Sequence, residues 1–401
     1  MRALRNRLRL RPLVDAVPQD PLVIAARRWI VICTLLLTII GTVMVFSAST
    51  VLSFRNHNTA YDYGLRHIAS VVIGLGAMFV GMRMTQRRWR QSAMVLLVIC
   101  SAGLFATLVL GSTIGGQRNW VPVLGIKVQP SELAKIPMIL CIAIIAGSLV
   151  PDSPIWKRYW GRLGVVGSML IAPVLLAGDA GTPFVMIPIA MAMVFLAGAP
   201  WRPILYAIGL AAIGGAALVM NKSYRLERLG SSWFNPFADA SGSGYQSAHG
   251  QYAIAGGGWI GVGLGSGREK WGGLPAAHTD FILASIAEET GVIMASLVIL
   301  MLGAISFWFL RIALHHQDFV ARSVCAGVGV WIGWQSIVNI AMVVNFLPVI
   351  GVTLPLVSFG GTSMVATLAG IGMGIAFLAS VPSVESRNAR TAATNRQQAS
   401  V

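Results

Sequence analysis

Ten apolar runs divide this chain, and nearly all are long enough to cross a lipid bilayer, which requires roughly 20 apolar residues per helix. Hydrophobic residues make up 56% of the sequence, charged residues only 11%, and the mean hydropathy is +0.73. These values exclude an ordinary soluble domain, which has about a quarter charged residues, and a disordered chain. We therefore expect an all-α polytopic membrane protein with ten transmembrane helices. The runs cover residues 29–49, 67–82, 91–110, 132–150, 163–178, 183–200, 203–220, 281–310, 323–346 and 361–381.

The loops between these runs differ in charge. Loops on one side, together with both chain ends, contain 20 of the 30 Lys and Arg residues, whereas nine of the 14 acids lie in or beside the opposite loops. Basic residues concentrate in cytoplasmic loops, where they face anionic lipid. We therefore expect both termini in the cytoplasm and the chemistry at the outer face. The basic cytoplasmic loops are a sufficient explanation for the net charge of +16. We therefore expect no nucleic-acid partner.

The predicted ten-helix domain covers residues 29–381. It is flanked by two tails and contains one large loop. Residues 1–28 form a basic cytoplasmic tail, and residues 382–401 a polar one; we expect both to be disordered. Residues 221–280, between the seventh and eighth runs, form a large extracytoplasmic loop. The four cysteines lie in apolar runs without CxxC spacing, which favours packing roles over a disulfide or zinc site.

The first polar candidate opens the fourth apolar run. Pro130 and Ser131 favour a helix start, because proline fits the first turn and serine can cap it. Glu132 and Lys135 are i,i+3 neighbours and can pair on one face of that helix. This pair either stabilises the helix end or lines a cavity in which Arg118 and Lys135 bind a phosphate.

The second candidate is the loop 221–280, since ordered loops of this length are uncommon unless they are functional. Residues 256–261 match G-x-G-x-x-G, but no strand precedes them, so a dinucleotide site is improbable. The glycines favour a closely packed interfacial or re-entrant segment. Five aromatic residues in the loop suit the level of the lipid headgroups: Trp233, Phe234, Tyr245, Trp259 and Trp271.

The third candidate is His278-Thr279-Asp280, immediately before the eighth run. Thr279 can cap the helix, which leaves Asp280 in the first turn, where the helix dipole favours a carboxylate. Asp280 is then either part of a helix start or an acid/base group. Glu288 and Glu289 follow about two turns later on different faces, so we expect them to have structural roles rather than to bind a metal.

The even-numbered helices would all begin at the outer face. Their positive dipole ends would converge there and suit an anion such as a pyrophosphate. Thr182-Pro183 and the segment 360–363 supply further helix starts of this kind. The residues alone thus predict an outer-leaflet site for an anionic amphiphile, with one acid/base carboxylate.

Three long motifs resemble the SEDS family (FtsW, RodA and SpoVE), polytopic proteins of bacterial cell-wall synthesis. They are QPSELAK at 129–135, the segment 244–291 that begins GYQSAHGQYAIAGGG, and LPVIGVTLPLVSFGGTS at 347–363. The resemblance extends from MVFSAS at 44–49 to the end of the tenth run. Within the family it is closer to the septal branch, FtsW, than to RodA.

The resemblance implies a peptidoglycan glycosyltransferase that polymerises lipid II, with ten helices and a large loop between helices 7 and 8. Asp280 would be the catalytic carboxylate. Further implications are a divalent cation (Mg²⁺ or Mn²⁺), a septal class B penicillin-binding protein as partner, other divisome membrane proteins, and a place in the plasma membrane at the division septum. The substrate-binding residues would be Glu132, Lys135, Arg118, His278 and Lys270.

Several positions depart from the family pattern. Asn119 stands where a second arginine is usual, LPA at 274–276 replaces LPE, and SFGGTS replaces SYGGSS. Asp179, in GDAGT, holds the place of the aspartate in another family motif. These changes bear on whether a metal or substrate is bound beside the site. They do not affect the expected fold.

Two other functions remain open at this point. A lipid II flippase would need a polar path across the membrane, for which Gln335, Asn339 and Asn345 of the ninth run are candidates, although neutral amides also serve helix packing. The third possibility is a non-catalytic scaffold of a cell-wall synthase complex.

Overall fold

The computed structural model describes residues 20–114, 117–123, 126–147, 156–196, 209, 235–242 and 244–378. Seven of its helices are long and apolar enough to cross a membrane, and two stretches, 161–176 and 181–196, are apolar but shorter. The helices are α1 (Pro21–His57), α2 (Asp62–Arg83), α3 (Gln86–Leu110), α4 (Pro130–Gly147), α5 (Trp156–Leu170), α6 (Ala172–Leu176), α7 (Gly181–Leu196), α8 (Tyr245–Gly257), α9 (Ile282–His315), α10 (Phe319–Val343) and α11 (Gly361–Leu378).

Nine of the ten predicted spans coincide with helices, and the polytopic helical fold is confirmed. The seventh, 203–220, lies outside the described residues apart from Gly209, so the count of ten stays a prediction. The N-terminal helix α1 begins at Pro21, within the segment 1–28 expected to be a tail. Residues 1–19 and 379–401, on which the rest of the two tail predictions falls, lie outside the described residues. Asp20 accepts a hydrogen bond from the Leu22 amide (2.9 Å) and caps this helix, and Pro21 fits its first turn.

A small antiparallel sheet, not predicted from the sequence, lies between α3 and α4. Its strands are β1 (Ser112–Ile114), β2 (Gln117–Val123) and β3 (Ile126–Val128), in the order β1-β2-β3. The strands β1 and β3 have three residues each, too few for the alternation of apolar and polar residues to be diagnostic. The sheet lies beside the start of α4 and therefore borders the site described below.

The centre of the bundle is formed by α4, α10 and α11, which are mostly buried, whereas α2 and α3 are largely exposed, as expected for helices in contact with lipid. Small residues allow close packing of α2 against α11. A Cβ atom on Gly372 would lie only 2.5 Å from the Met78 carbonyl oxygen, and one on Gly81 would lie 3.3 Å from Gly372. Larger residues at these positions would force the two helices apart.

The long loop folds back onto a break in α9. Gly291 interrupts this helix with φ 83° and ψ 168°, a conformation that glycine adopts readily. The released amides of Val292 and Ile293 donate to the carbonyl oxygens of Gly258 (3.0 Å) and Trp259 (3.3 Å). The loop thereby satisfies backbone groups that would otherwise be unpaired at membrane depth.

Glu288 and Glu289 fix the same loop through their side chains. Glu288 accepts hydrogen bonds from the backbone amides of Arg268 (2.6 Å) and Glu269 (3.2 Å). Glu289 accepts from the Ser47 hydroxyl of α1 (2.7 Å) and pairs with Lys270 (3.0 Å). These contacts agree with the structural role expected for both acids, and they determine where the segment leading to Asp280 lies.

Candidate functional site

Several helix N-termini meet at one end of the bundle. The backbone amide of Gln129, just before α4, donates a hydrogen bond to the Thr362 hydroxyl in the first turn of α11 (3.1 Å). Gly181, the first residue of α7, packs closely against Ile350. A Cβ atom on Gly181 would lie 2.5 Å from the Ile350 carbonyl oxygen. The starts of α4, α7 and α11 therefore lie near one another, and the positive ends of their helix dipoles favour negative charge at this end.

Asp280 lies just before α9 and does not cap it. The helix begins at Ile282 with Phe281 in the N-cap position, without a side-chain cap, and the Thr279 hydroxyl donates instead to the Ala276 carbonyl oxygen (3.2 Å). The expectation that Thr279 caps the helix is wrong, because residues 276–281 form a turn of their own. A capping role therefore does not explain the presence of Asp280.

The carboxylate of Asp280 is half-buried, and among the described residues no group donates a hydrogen bond to it. Burial raises the pKa of Asp280 from 3.8 to about 6, because the ionised form loses hydration. Gly351 lies next to it: a Cβ atom at this position would be 3.7 Å from Asp280 Oδ2. An ionisable group with these properties is suited to proton transfer near neutral pH.

Glu132 and Lys135 form the predicted i,i+3 pair, and both are buried. Lys135 Nζ lies 2.9 Å from Glu132 Oε1 and also donates to Gln335 Oε1 of α10 (2.9 Å). The second oxygen, Glu132 Oε2, is buried without a partner in the described part of the chain. Ser131 does not cap α4, since its hydroxyl likewise lacks such a partner.

Two amides of α10 connect this pair to Asp280. Gln335 and Asn339 are one turn apart and therefore lie on the same face. Gln335 Nε2 donates to the Thr353 carbonyl oxygen (3.0 Å), and Asn339 Nδ2 donates to the carbonyl oxygens of Asp280 (2.8 Å) and Val352 (2.7 Å). The sequence indicated these residues only as a possible transmembrane path. Their i,i+4 spacing in an apolar helix was the signal that they share a site.

His278 lies in an aromatic cluster rather than free in a cavity. Its ring centroid is 5.3 Å from that of Tyr63 and 5.5 Å from that of Phe359. Burial lowers the pKa of His278 to about 4, so the imidazole is neutral at physiological pH and offers no positive charge to an anion. The Phe359 amide also donates to the His278 carbonyl oxygen (2.9 Å), which fixes the backbone before Asp280.

Arg118 and Lys270 have other contacts. The Arg118 guanidinium donates to the carbonyl oxygens of Leu108 and Gly111 (both 3.1 Å) at the end of α3. Lys270 is buried in its ion pair with Glu289 and donates to Gly265 as well (2.6 Å). Lys135, by contrast, contacts Gln335, on the same face of α10 as Asn339, which donates to the Asp280 carbonyl oxygen.

A further buried acid, Asp179, precedes α7. It accepts hydrogen bonds from the amide (3.0 Å) and hydroxyl (2.5 Å) of Thr182. Burial, together with repulsion from Glu132, raises the pKa of Asp179 even though the contacts to Thr182 oppose this shift. Asp179 thus fixes the start of α7 close to Glu132.

The described residues do not form a protein-only metal site, since they contain no cluster of three or more His, Cys, Asp or Glu side chains suited to hold an ion. Magnesium usually binds through one or two carboxylates together with substrate phosphates, so this observation does not test the expected Mg²⁺ or Mn²⁺. The divalent cation stays a prediction.

Sequence comparison identifies relatives over almost the whole chain. The profile of the family described as "Cell cycle protein", which comprises FtsW, RodA and SpoVE, matches residues 27–381. A probable peptidoglycan glycosyltransferase FtsW of Halomonas elongata is 36% identical over 360 residues, covering 86% of this chain and 88% of its own length. Stage V sporulation protein E of Bacillus subtilis is 34% identical over 348 residues, with 86% and 94% covered.

Solved structures share the fold. One chain, from work described as structural coordination of polymerization and crosslinking by a peptidoglycan synthase complex, superposes with a TM-score of 0.71 at 27% identity and covers 87% of this chain and 96% of its own. The rod shape determining protein RodA of Thermus thermophilus superposes with a TM-score of 0.65 at 24% identity, with 88% and 96% covered. The similarity to this RodA structure concerns the fold alone.

Proposed function

Because the chain belongs to the FtsW/RodA/SpoVE family of cell cycle proteins, we propose that it is a peptidoglycan glycosyltransferase that polymerises lipid II into glycan strands. The observation that carries the proposal is the Asp280 carboxylate, half-buried and without a hydrogen-bond donor among the described residues, at the end of the bundle where helix N-termini meet. The relatives named as peptidoglycan glycosyltransferases support it.

Asp280 is the general base in this proposal. The 4-hydroxyl of an acceptor GlcNAc attacks the anomeric carbon of a MurNAc, Asp280 takes the hydroxyl proton, and undecaprenyl pyrophosphate leaves with the bonding electrons. A carboxyl group with its pKa near 6 is mostly ionised at pH 7 and is a stronger base than an ordinary carboxylate. With a single free carboxylate the simplest route is one displacement with inversion at the anomeric carbon.

The leaving pyrophosphate requires positive charge. The N-termini of α4, α7 and α11 supply partial positive charge, and Lys135 is the buried cation next to them. His278 is neutral, so it helps by positioning the backbone before Asp280. Arg118 and Lys270 contribute through the loop and helix end that they hold. No step is assigned to a metal ion.

This assignment includes an orientation and a location. Both termini face the cytoplasm, and Asp280 lies at the outer face of the plasma membrane, where lipid II with its headgroup outside can reach it. The excess of basic residues in the loops at the opposite end supports this orientation. The naming of the relatives as FtsW supports a role at the division septum.

The same relatives support a partner. One structural relative comes from work described as structural coordination of polymerization and crosslinking by a peptidoglycan synthase complex. We therefore assign it a class B penicillin-binding protein of the septal type, a transpeptidase, as its partner. Other divisome membrane proteins would assemble with the pair.

The deciding experiment uses the purified full chain, alone and with its transpeptidase, and fluorescently labelled lipid II in proteoliposomes. Glycan strands indicate an enzyme, exchange of lipid II between leaflets without strands indicates a flippase, and neither outcome indicates a scaffold. Asp280→Asn should reduce polymerisation about 10²–10⁴-fold or more, because the amide cannot take up the proton. Lipid II binding and association with the transpeptidase should persist in this variant.

The matched control is Asp62→Asn, the same chemical change at an ion pair in which Asp62 is half-buried and Arg66 is exposed. Such a pair contributes at most about 1 kcal/mol to stability, so polymerisation should be unchanged. Near wild-type polymerisation by Asp280→Asn would show that the carboxylate is not the base.

A further inference from the structure

The end of the bundle opposite to Asp280 contains a recess that the proposed reaction does not use. Its volume is about 380 Å³, and it is lined by polar side chains at the start of α3: Gln86, Arg87, Arg90 and Gln91. The Gln86 amide nitrogen donates to the Phe377 carbonyl oxygen (3.4 Å) at the end of α11, whereas α11 begins at the Asp280 end of the bundle. Because α11 has 18 residues, its length of about 27 Å separates the two ends.

Two of the lining residues are held in place by other helices. Gln86 is bonded to the end of α11, and Arg90 forms an ion pair with Asp318, the N-cap residue of α10. Asp318 also accepts a hydrogen bond from the Val320 amide (3.3 Å), so its carboxylate is engaged within the protein. The packing of α3 against α10 and α11 therefore forms this side of the recess before any ligand binds.

The other two lining residues offer unused donors. Arg87 and Gln91 are exposed, and in the part of the chain that the structure describes their side chains form no ion pair or hydrogen bond. A guanidinium group presents its N–H donors in a planar fork that matches phosphate oxygens, and such charge-assisted hydrogen bonds are strong. Two arginines and two side-chain amides around one recess suit a phosphate group.

The surroundings of the recess favour a lipid phosphate over a soluble one. Four arginines in the segment 83–90 lie between the apolar parts of α2 and α3, at the level of the lipid headgroups. Met94 and Val98 continue the same face of α3, one and two turns beyond Arg90, and they are 65% and 54% exposed. A phosphate in the recess would thus have an apolar surface for acyl chains directly beside it.

We propose that this recess binds the headgroup of an anionic phospholipid in the leaflet away from Asp280. The phosphate accepts hydrogen bonds from Arg87, Arg90 and Gln91, and the acyl chains lie along Met94 and Val98. Basic pockets beside transmembrane helices bind anionic headgroups in this way. The lipid would hold together the ends of α3, α10 and α11, which meet around Gln86 and Arg90.

The test measures lipid binding to the purified full chain in detergent by native mass spectrometry. The probes are phosphatidylglycerol and, with the same acyl chains, zwitterionic phosphatidylcholine. Wild-type protein should retain phosphatidylglycerol in preference to phosphatidylcholine. Gln91→Ala, which changes no charge, should weaken phosphatidylglycerol binding several-fold, because it removes a donor to the phosphate.

The matched variants are Arg87→Gln and Arg88→Gln, which remove the same charge from neighbouring positions. Arg88 does not line the recess, since it points about 130° round the helix from the centre of that face. Arg87→Gln should weaken phosphatidylglycerol binding at least about tenfold more than Arg88→Gln. Both arginines and Gln91 are exposed, so all three variants should unfold at the wild-type temperature in lipid-free detergent.

Two results would overturn the proposal. Equal losses in Arg87→Gln and Arg88→Gln, with Gln91→Ala unchanged, would show that a diffuse positive surface attracts the lipid and that no site exists. Binding of inorganic phosphate that Arg87→Gln abolishes, in a chain that retains no phosphatidylglycerol, would assign the recess to a soluble anion. Neither readout involves glycan formation, so a failure of the proposed polymerase function would leave this site unaffected.

Discussion

Lys135 on α4 donates a 2.9 Å hydrogen bond to Gln335 on α10, which lies 200 positions later in the chain. Lys135 is almost fully buried, and its ammonium also lies 5.2 Å from the centre of the Trp331 ring. A buried ammonium is costly unless it is paired and hydrogen-bonded. Gln335 and Glu132 together meet this requirement, so the charge of Lys135 depends on two helices being correctly packed.

The buried pair predicts an asymmetric effect on stability. Lys135→Met leaves the Glu132 carboxylate buried without its cation, and breaking a buried pair in this way costs about 3–5 kcal/mol. The double variant Glu132→Gln/Lys135→Met removes both charges and should recover much of that loss. The measurement is thermal unfolding in detergent, and a double variant no more stable than Lys135→Met would contradict the buried pair.

The same pair has a predicted effect on activity. Glu132→Gln keeps the shape of the side chain and leaves Lys135 hydrogen-bonded to Gln335, so polymerisation should fall by less than in Asp280→Asn. Initial rates with labelled lipid II test this order. A loss in Glu132→Gln equal to or greater than that in Asp280→Asn would assign Glu132 a direct part in the chemistry.

The raised pKa of Asp280 predicts the dependence on pH. A general base must be ionised, so the rate of polymerisation should fall as the pH drops below about 6. The folded state binds this proton more tightly than the unfolded chain, so the contribution of Asp280 to stability is lost as the pH rises from 3.8 to about 6. Asp280→Asn should therefore unfold at the same or a higher temperature than wild type at pH 7.5, and the difference should vanish near pH 4.

The proposed orientation is testable by labelling with cysteine-specific reagents. All four native cysteines are buried, so they give little background. Ser266, in the long loop, and Gln317, between α9 and α10, are both exposed. In intact spheroplasts an impermeant maleimide should label Ser266→Cys and leave Gln317→Cys unlabelled until the membrane is opened. The opposite pattern would place Asp280 at the cytoplasmic face.

The assignment to septal synthesis predicts which transpeptidase binds. Affinity purification of the tagged full chain from its own cells should recover a class B penicillin-binding protein of the division machinery. The untagged strain serves as the control for nonspecific capture. Recovery of only an elongation-type transpeptidase would move the chain to the RodA branch of the family.

The length and spacing of the apolar runs were sufficient to predict nine spans that coincide with helices, because the thickness of a bilayer dictates how long an apolar segment must be. Local chemistry also predicted helix starts at Pro130, at Thr182-Pro183 and within 360–363, and the observed helices begin at Pro130, Gly181 and Gly361. It predicted the Glu132–Lys135 pair as well, since each of these features depends on neighbours within one turn. The strands β1 and β3 were missed because three residues are too few to carry a strand pattern.

The sequence by itself thus determined that the chain crosses a membrane many times and that Asp280 and the Glu132–Lys135 pair are the candidates for its chemistry. Only the tertiary structure decided that Lys270 pairs with Glu289 and that Asn339 holds the backbone of Asp280. The reason is physical: these bonds join side chains to partners on helices and loops far away in sequence. Which partners meet depends on how whole helices pack, and no local spacing of residues encodes that.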